Sequence, residues 1–413
     1  MTIAAPPPDD APVPHSARPF RRRVFYIPGY DPFQPRRYRE LYRKEAAAQA
    51  VISGYEVALT PKKVKGRYGW RVTTAIEGLE TIADVEVLVW SDIVRGSMHP
   101  GIAQTYVGLV RTAWAYIGSG ALFRLMRLRK GPIIAALYPI VMLVAQLVVS
   151  CLVGLGVSAM VALLLPDLAG WLAGLAVVPL LLHWFRKQDG RFMAYYLMHD
   201  YSYSARTMGA TAPELAARMA TFSGAVADAL RDDYDEVLVV GHSSGAHIAV
   251  SVLADVIREG LPARHPALAF LSLGQVVPMV SFLPKANGLR ADLHYLAARD
   301  ELTWVDVTAP GDGCAFALCD PVSVSGCAPE GKRWPLVISA AFTQSLSPAR
   351  WKELRWRFFR LHFQYLCAFD RPRDYDYFRI TAGPVPLGLR YAGRAPSGSR
   401  IDRTVSGYVS RTA

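Results

Sequence analysis

The sequence predicts an α/β fold: a mostly parallel β-sheet with helices on both faces, interrupted by a two-helix transmembrane hairpin. Short apolar runs alternate with amphipathic stretches along most of the chain, a pattern typical of parallel sheets covered by helices. A second group of apolar residues is concentrated in one block, residues 132–185. The 413-residue chain therefore combines a net charge of +12 with a positive mean hydropathy of +0.18.

Composition excludes several classes of protein. Hydrophobic residues make up 52% of the chain and charged residues 19%, which excludes a protein disordered throughout. The 29 prolines and 32 glycines are spread along the sequence and exclude a coiled coil. Residues 1–19, rich in Pro, Ala and Asp, are predicted to form a disordered leader. Residues 383–413, rich in Gly, Ser and Arg, are predicted to form a flexible tail.

The predicted elements of the soluble domain follow one another in alternation. Strands are expected at residues 23–28, 85–90, 236–240, 267–273 and 302–307. Helices are expected at residues 35–50, 105–129, 212–230 and 246–259. The helix at 105–129 interleaves basic and aromatic residues, so that it either lies along lipid headgroups or packs on the soluble domain. Because the apolar block separates the second strand from the third, residues 20–130 and 187–382 are two parts of one domain.

The apolar block, assigned to residues 131–186, is predicted to cross a membrane twice. Between residues 132 and 185, Asp167 is the only formally charged side chain. A spanning helix needs about 20 apolar residues. Two such helices fit, with a turn near Pro166. Neither has the polar face of a helix in a globular core, which is the alternative. Basic residues flank both ends, at 124–130 and 186–191, which predicts that both ends and the soluble domain are cytoplasmic.

No cofactor or metal is predicted. Three of the five cysteines lie close together, at positions 314, 319 and 327, but without the short spacing of zinc sites. A cytoplasmic domain would keep them reduced. The basic residues are better explained by anionic lipid than by nucleic acid, because they flank the membrane hairpin.

The strongest motif is Gly-His-Ser-Ser-Gly at residues 241–245, between a predicted strand and a predicted helix. A tight strand–turn–helix needs small residues two before and two after its central serine, and Gly241 and Gly245 supply them. Ser243 would stand at the carboxyl edge of the sheet, where the following helix stabilises negative charge. The motif therefore predicts a nucleophilic serine; the alternative is an ordinary Ser/Gly-rich turn.

This arrangement resembles the nucleophile elbow of the α/β-hydrolase superfamily of serine hydrolases, and the resemblance extends over residues 23–90 and 196–381. In that superfamily the residue after the nucleophile and a loop after an early strand donate backbone N–H groups to an oxyanion. Here that loop reads Pro28-Gly29-Tyr30, with proline where the superfamily often has histidine. The resemblance implies an oxyanion hole formed by Tyr30 and Ser244.

The superfamily order of nucleophile, acid and histidine implies the rest of a triad. Among the histidines after Ser243, only His362 follows the last predicted strand. His247 lies on the nucleophile's own helix, and His265 and His294 precede strands, at the wrong edge of the sheet.

The acid is expected on the loop that follows the strand at 302–307. Asp312 lies there between two glycines and is the favoured acid. Asp320 is the alternative, while Asp306 falls inside the strand itself.

The sequence thus predicts a membrane-anchored serine hydrolase, an esterase or lipase-like enzyme, that acts through Ser243, His362 and Asp312. A small-molecule or lipid ester would be the substrate, and membrane lipid the partner. Two alternatives remain open: a non-catalytic interaction module with the same fold, and an acyltransferase that uses the same triad.

Overall fold

The computed structural model describes residues 18–62, 67–98 and 101–412, so the predicted leader lies almost entirely outside the described residues. Eight strands form one sheet in the order β2-β3-β4-β1-β5-β6-β7-β8. The strands are β1 Phe20–Ile27, β2 Glu56–Pro61, β3 Gly69–Ile76, β4 Leu79–Val87, β5 Glu236–His242, β6 Ala267–Leu273, β7 Leu302–Thr308 and β8 Leu336–Ser339.

The described helices connect and cover these strands. Those before β5 are α1 Arg36–Ser53, α2 Ser91–Ser97, α3 Ile102–Ala113, α4 Ala121–Leu125, α5 Lys130–Ala162, α6 Asp167–Lys187, α7 Asp189–Phe192, α8 Ala194–Ala205 and α9 Pro213–Ala229. Those after β5 are α10 Gly245–Glu259, α11 Val277–Ser281, α12 Asn287–Leu296, α13 Pro321–Val324, α14 Phe342–Ser345, α15 Pro348–Leu354, α16 Phe358–His362, α17 Tyr377–Ala382 and α18 Leu387–Arg390.

The sheet is mostly parallel, as predicted. Strands β4, β1, β5, β6, β7 and β8 pair in parallel, and β2 and β3 add an antiparallel extension beside β4. Every residue of the central strand β5 is buried, because helices cover both faces of the sheet. Helices α9, α10 and α12 pack on one face, and α1 and α17 pack on the other.

Three strands were missed by the sequence interpretation. In β3, buried and exposed residues alternate, so no continuous apolar run marks the strand. All six residues of β2, at the edge of the sheet, are exposed or half-buried, and β8 has only 4 residues. Edge strands of this kind carry a weaker apolar signal than the central strands.

Two helices in the apolar block, α5 and α6, are long and apolar enough to cross a membrane. They contain 33 and 21 residues, and only 22% and 17% of their most apolar segments are buried inside the protein. The described chain therefore does not enclose the hairpin in a core, as the alternative interpretation would require. The hairpin connects the soluble elements before α5 with those after α6.

Small residues let α5 and α6 approach closely. A Cβ atom added to Gly154 would lie 2.8 Å from the carbonyl oxygen of Gly174, and one added to Gly174 would lie 2.6 Å from the carbonyl oxygen of Gly154. A Cβ atom added to Gly170 would likewise lie 2.7 Å from the carbonyl oxygen of Ser158. Helices that pack within an apolar environment depend on such close contacts, because no hydrophobic effect drives them together there.

Replacement of Gly154 by leucine is therefore expected to separate α5 from α6 and to lower the thermal stability of the detergent-solubilised protein. Gly156 provides the matched control, since a Cβ atom at that position would meet nothing within 4 Å. Gly156→Leu should leave the melting temperature nearly unchanged. Equal melting temperatures for the two variants would contradict the role assigned to the glycine contact.

Two predicted segments differ from the structure. The helix expected at 105–129 is divided into α3, a π-helical turn Trp114–Gly118 and α4, because Gly120 adopts a positive φ of 75° before α4 begins. The predicted flexible tail is not extended: the N–H of Ser397 donates to Val337 and that of Ile401 donates to Leu318, at 2.9 and 2.7 Å. These backbone hydrogen bonds attach the described part of the tail to the soluble domain.

Candidate active site

Ser243 lies on a strained turn between the end of β5 and the start of α10. Its φ is +55°, a value that residues other than glycine rarely adopt. The backbone N–H of Ser243 donates to the carbonyl oxygen of Leu273, at the end of β6, at 2.9 Å. This conformation holds the serine at the carboxyl edge of the sheet, as an elbow requires.

Three glycines make room for this turn. A Cβ atom on Gly245 would lie 2.1 Å from the carbonyl oxygen of Ile27, and one on Gly241 would lie 2.8 Å from the Cα atom of Ala246. Gly29 fulfils a similar requirement from the β1 side, because a Cβ atom there would lie 2.9 Å from the Cβ atom of Ser243. The two glycines of the motif are thus needed for close packing of α10 against β1 and β5.

His362 lies at the end of α16, with only 6% of its surface exposed. Its Nδ1 atom is 2.7 Å from Oδ2 of Asp312, in a side-chain hydrogen bond. Its Nε2 atom is buried and has no hydrogen-bond partner among the described residues. A histidine whose Nδ1–H donates to a carboxylate has its Nε2 lone pair free to accept a proton.

Asp312 accepts three hydrogen bonds. Besides the Nδ1–H of His362, the Tyr365 hydroxyl donates to Oδ2 at 3.0 Å, and the backbone N–H of Cys314 donates to Oδ1 at 2.9 Å. Burial alone would raise the pKa of this carboxyl. Electrostatic attraction to the His362 imidazole and the three hydrogen bonds outweigh burial and hold the pKa of Asp312 below its usual value. Asp312 therefore stays ionised and orients the imidazole.

The two other candidate acids serve structural roles. Asp320 caps α13 by accepting from the N–H groups of Val322 and Ser323, at 3.0 Å each, and it forms an ion pair with Lys332. Asp306 lies inside β7 and accepts a hydrogen bond from the Ser272 hydroxyl at 2.5 Å. Burial raises the pKa of Asp306 to about 8. Of the three, Asp312 is the carboxylate that the structure brings to His362.

The other histidines after Ser243 are engaged elsewhere or lie on other elements. His294 is on α12, where its Nδ1 atom is 2.9 Å from the carbonyl oxygen of Cys327. His265 lies before β6, with Nδ1 at 2.7 Å from the carbonyl oxygen of Pro266. His247 is on α10, and burial lowers its pKa to about 4.

The predicted oxyanion-hole residues, Tyr30 and Ser244, border the same cavity as Ser243 and His362. Within residues 18–62, 67–98 and 101–412, neither backbone N–H donates a hydrogen bond. Ser244 immediately precedes α10, so its N–H belongs to the unpaired N-terminal donors of that helix. Both N–H groups are thus unoccupied donors, the property that an oxyanion hole requires.

Three residues around His362 were not identified from the sequence. Tyr365 holds Asp312, and its hydroxyl accepts from the N–H of Ala309 at 3.0 Å. Gly274 has a φ of +52°, and a Cβ atom there would lie 3.0 Å from Cε1 of His362. His242, inside the serine motif, lies with Nε2 at 3.0 Å from the carbonyl oxygen of His362. His242 could have been noticed because it belongs to the serine motif, whereas no sequence pattern marks Tyr365 or Gly274.

His242 remains neutral at physiological pH. Burial, and secondarily the charge on His362, lower its pKa to about 3. Its Nε2 atom therefore donates to the His362 carbonyl oxygen, and the two imidazole rings lie with centroids 4.8 Å apart. His242 thus supports the backbone of His362.

A cavity of about 1100 Å³ opens onto Ser243 and His362. One wall comes from the first turns of α5, through Pro132, Ile134, Ala135 and Tyr138, and another comes from α8. Residues 356–360 and 362–363 line it as well, including Trp356, which is 72% exposed. The mostly apolar lining suits a ligand with a hydrocarbon portion.

Asp312, Cys314 and His362 could be considered as metal ligands, since their donor atoms lie within 4.8 Å of one another. The hydrogen bond between Nδ1 of His362 and Oδ2 of Asp312 already occupies one potential metal-ligating atom of each residue. Burial raises the pKa of the Cys314 thiol well above its usual value, which disfavours the thiolate that a metal would bind. The geometry therefore suits a histidine–carboxylate pair better than a metal centre.

No family model, no curated protein and no solved structure matches this chain.

Proposed function

We propose that the protein is a membrane-anchored serine hydrolase of the α/β-hydrolase type that cleaves an acyl ester. One observation carries the proposal. The strained turn at Ser243 shares a cavity with His362, whose Nδ1–H donates to Asp312 while its buried Nε2 lacks a partner in the described chain. Along the chain the nucleophile Ser243, the orienting acid Asp312 and the base His362 follow one another in the superfamily's order.

The mechanism follows from these roles. His362 Nε2 accepts the hydroxyl proton of Ser243 as Oγ bonds to the acyl carbon, and the carbonyl oxygen becomes an oxyanion. The N–H groups of Tyr30 and Ser244 donate to that oxyanion. The C–O bond to the leaving alcohol then breaks, and His362 returns the proton to the alcohol. Water then gives a proton to His362 as its oxygen bonds to the acyl carbon. The bond from that carbon to Oγ of Ser243 breaks, His362 returns the proton to Oγ, and a carboxylic acid is released.

The dimensions of the hairpin support a lipid ester as substrate. With 33 and 21 residues, α5 and α6 are about 50 and 32 Å long. The two helices share one turn, so the first 12 or so residues of α5 extend beyond the basic end of α6. A bilayer's hydrocarbon core is about 30 Å thick, which leaves this extension at headgroup level. Pro132, Ile134 and Tyr138, which line the cavity, belong to it.

The basic ends of the hairpin support a cytoplasmic position for the catalytic domain. Lys130 begins α5, and Arg186 and Lys187 end α6, so both membrane-proximal ends are positive. Positive residues near membrane spans collect on the cytoplasmic side.

Labelling with a fluorophosphonate tests the enzyme proposal, because this probe reacts only with an activated serine. The wild-type protein is expected to be labelled and Ser243→Ala to remain unlabelled. Ser244→Ala is the matched control: it removes the adjacent hydroxyl but retains the backbone N–H, and it should still be labelled. An unlabelled wild-type protein, or labelled Ser243→Ala, would favour the non-catalytic interaction module.

Extraction of cell membranes with alkaline carbonate tests the anchor. The protein is expected to stay in the membrane pellet and to be released only by detergent, because two spans bury their apolar surface in lipid. For orientation, Leu165→Cys, in the turn between α5 and α6, should react with a membrane-impermeant maleimide in intact cells. Release by carbonate, or maleimide reaction only after permeabilisation, would contradict the anchor or its orientation, respectively.

A further inference from the structure

Asp200 is an acidic residue of the cavity for which the triad mechanism has no use. It lies on α8, half-buried, among residues that line the same cavity as Ser243. Its carboxylate interacts electrostatically with His362, Cys314 and four tyrosines, and all six of these residues border the cavity. The carboxylate therefore faces the space in which a substrate would be bound.

The Asp200 carboxylate makes no hydrogen bond or ion pair within the described residues. By contrast, Asp31, the other acidic residue of the cavity lining, accepts from the Tyr38 hydroxyl at 2.7 Å and from the Phe33 N–H at 2.9 Å. Burial raises the pKa of Asp200 to about 7, although the charge on His362 opposes the rise. An unpaired carboxyl group in such surroundings costs stability unless it has a function or acquires a partner.

The neighbouring hydroxyl groups do not supply that partner. The Tyr196 hydroxyl donates to the carbonyl oxygen of Tyr30 at 2.6 Å, and the Tyr116 hydroxyl donates to that of Met279 at 2.9 Å. The Tyr30 hydroxyl is hydrogen-bonded to Ser97 at 2.5 Å. Because these three tyrosines direct their hydroxyls elsewhere, none of the three occupies the carboxylate, which stays available to a ligand.

We propose that Asp200 is a substrate-binding residue that holds a hydroxyl or a cationic group of the alcohol or acyl portion of the ester. This inference rests on the proposed function and specifies its substrate class: an ester with a hydroxyl or ammonium group near the scissile bond. A carboxylate attracts both groups, and aromatic rings favour the cationic one. An anionic group at this position would be repelled by the same carboxylate.

Two pairs of esters, with one acyl chain and different alcohols, test the cationic group and the hydroxyl group separately. The choline ester is compared with its neutral isostere, the 3,3-dimethylbutyl ester, and the 2-hydroxyethyl ester with the propyl ester. All are assayed with the full-length protein in detergent micelles. The wild-type protein is expected to prefer the choline or the hydroxyethyl ester over its neutral counterpart by at least about tenfold in kcat/KM.

Asp200→Asn and Asp200→Leu distinguish the two ligand groups. Asparagine keeps an acceptor oxygen but loses the charge, so Asp200→Asn should remove a preference for choline and retain one for hydroxyethyl. Leucine should remove both. The losses should fall mainly on KM, and the neutral esters should be hydrolysed within about threefold of wild type. Asp228→Asn, on the outward face of α9 and far more exposed, is the matched control and should retain the preference.

Fluorophosphonate labelling of the same variants separates this inference from the proposed function. Labelling of Asp200→Asn at the wild-type rate, with selective loss of one preference, supports substrate binding by Asp200. Labelling with an equal loss for all four esters, or with no loss for any, would overturn the inference and leave the hydrolase proposal intact. Absence of labelling in the wild-type protein would overturn both.

Discussion

His362→Ala is expected to lower kcat for ester hydrolysis by about three to five orders of magnitude, because it removes the imidazole that the proposed mechanism uses to accept the Ser243 proton. The Nε2 atom of His362 is buried and has no partner in the part of the chain that the structure describes, while Nδ1 is fixed by Asp312. Removal of the imidazole leaves the hydroxyl of Ser243 at its ordinary, weakly nucleophilic state. Steady-state hydrolysis of a chromogenic ester by the purified protein measures the change.

Asp312→Asn should have a comparable effect, about three to four orders of magnitude in kcat, although the side chain keeps its shape. An amide nitrogen facing Nδ1 would favour the wrong tautomer of His362. The Tyr365 hydroxyl, which donates to the same carboxylate oxygen, would lose a charged acceptor as well.

Two matched variants show whether a loss of turnover comes from the removed catalytic group or from a general loss of structure. Asp320→Asn removes the charge that caps α13 and pairs with Lys332, and it should lower stability by about 1–2 kcal/mol while turnover is largely retained. His294→Ala, on α12, should likewise retain turnover. Full activity of His362→Ala, or a loss in His294→Ala equal to that in His362→Ala, would refute the assignment of the base.

Gly245→Ala is expected to produce the largest structural effect of a single methyl group. The added Cβ atom would lie 2.1 Å from the carbonyl oxygen of Ile27 and 2.7 Å from that of Pro28. These are backbone atoms at the end of β1 and cannot rotate away. Separation of α10 from β1 would therefore follow, with a destabilisation of about 3 kcal/mol or more and loss of fluorophosphonate labelling.

Gly224→Ala is the matched control for this glycine substitution. Gly224 lies on α9, and a Cβ atom there would meet nothing within 4 Å. Alanine is favoured over glycine within a helix by about 1 kcal/mol, so this variant should be slightly more stable than wild type and fully labelled. Chemical denaturation measures both stabilities. A Gly245→Ala protein as stable and as reactive as Gly224→Ala would show that the close contact is dispensable.

The central strands could be predicted because burial on both faces leaves a continuous apolar run, as in β5. The elbow could be predicted because its glycines are fixed by contact with backbone atoms. The packed tail could not, because residues such as Ser397 are held through backbone hydrogen bonds, which any residue except proline can donate. A composition rich in Gly, Ser and Arg therefore does not predict whether such backbone hydrogen bonds form.

The candidate site, like the fold, could be predicted only in part. The loop position of Asp312 after β7 follows from strand order, and the structure brings this residue to His362. Tyr365 and Asp200 lie on helical segments, and which face of a helix borders a cavity depends on what packs against its other faces. Asp200 lies on α8, whose packing partners include α3 and α5. Its position beside the cavity therefore depends on how the hairpin packs against the rest of the chain, which the sequence pattern does not show.

The first turns of α5 have a consequence for any attempt to make a soluble form of this protein. They belong to a long apolar helix and also form a wall of the cavity that contains Ser243. Excision of residues 130–187 would therefore leave the nucleophile facing bulk water. For the proposed membrane-anchored hydrolase, removal of the hairpin from the chain would also expose Ser243, so proteolytic release would yield an altered catalyst.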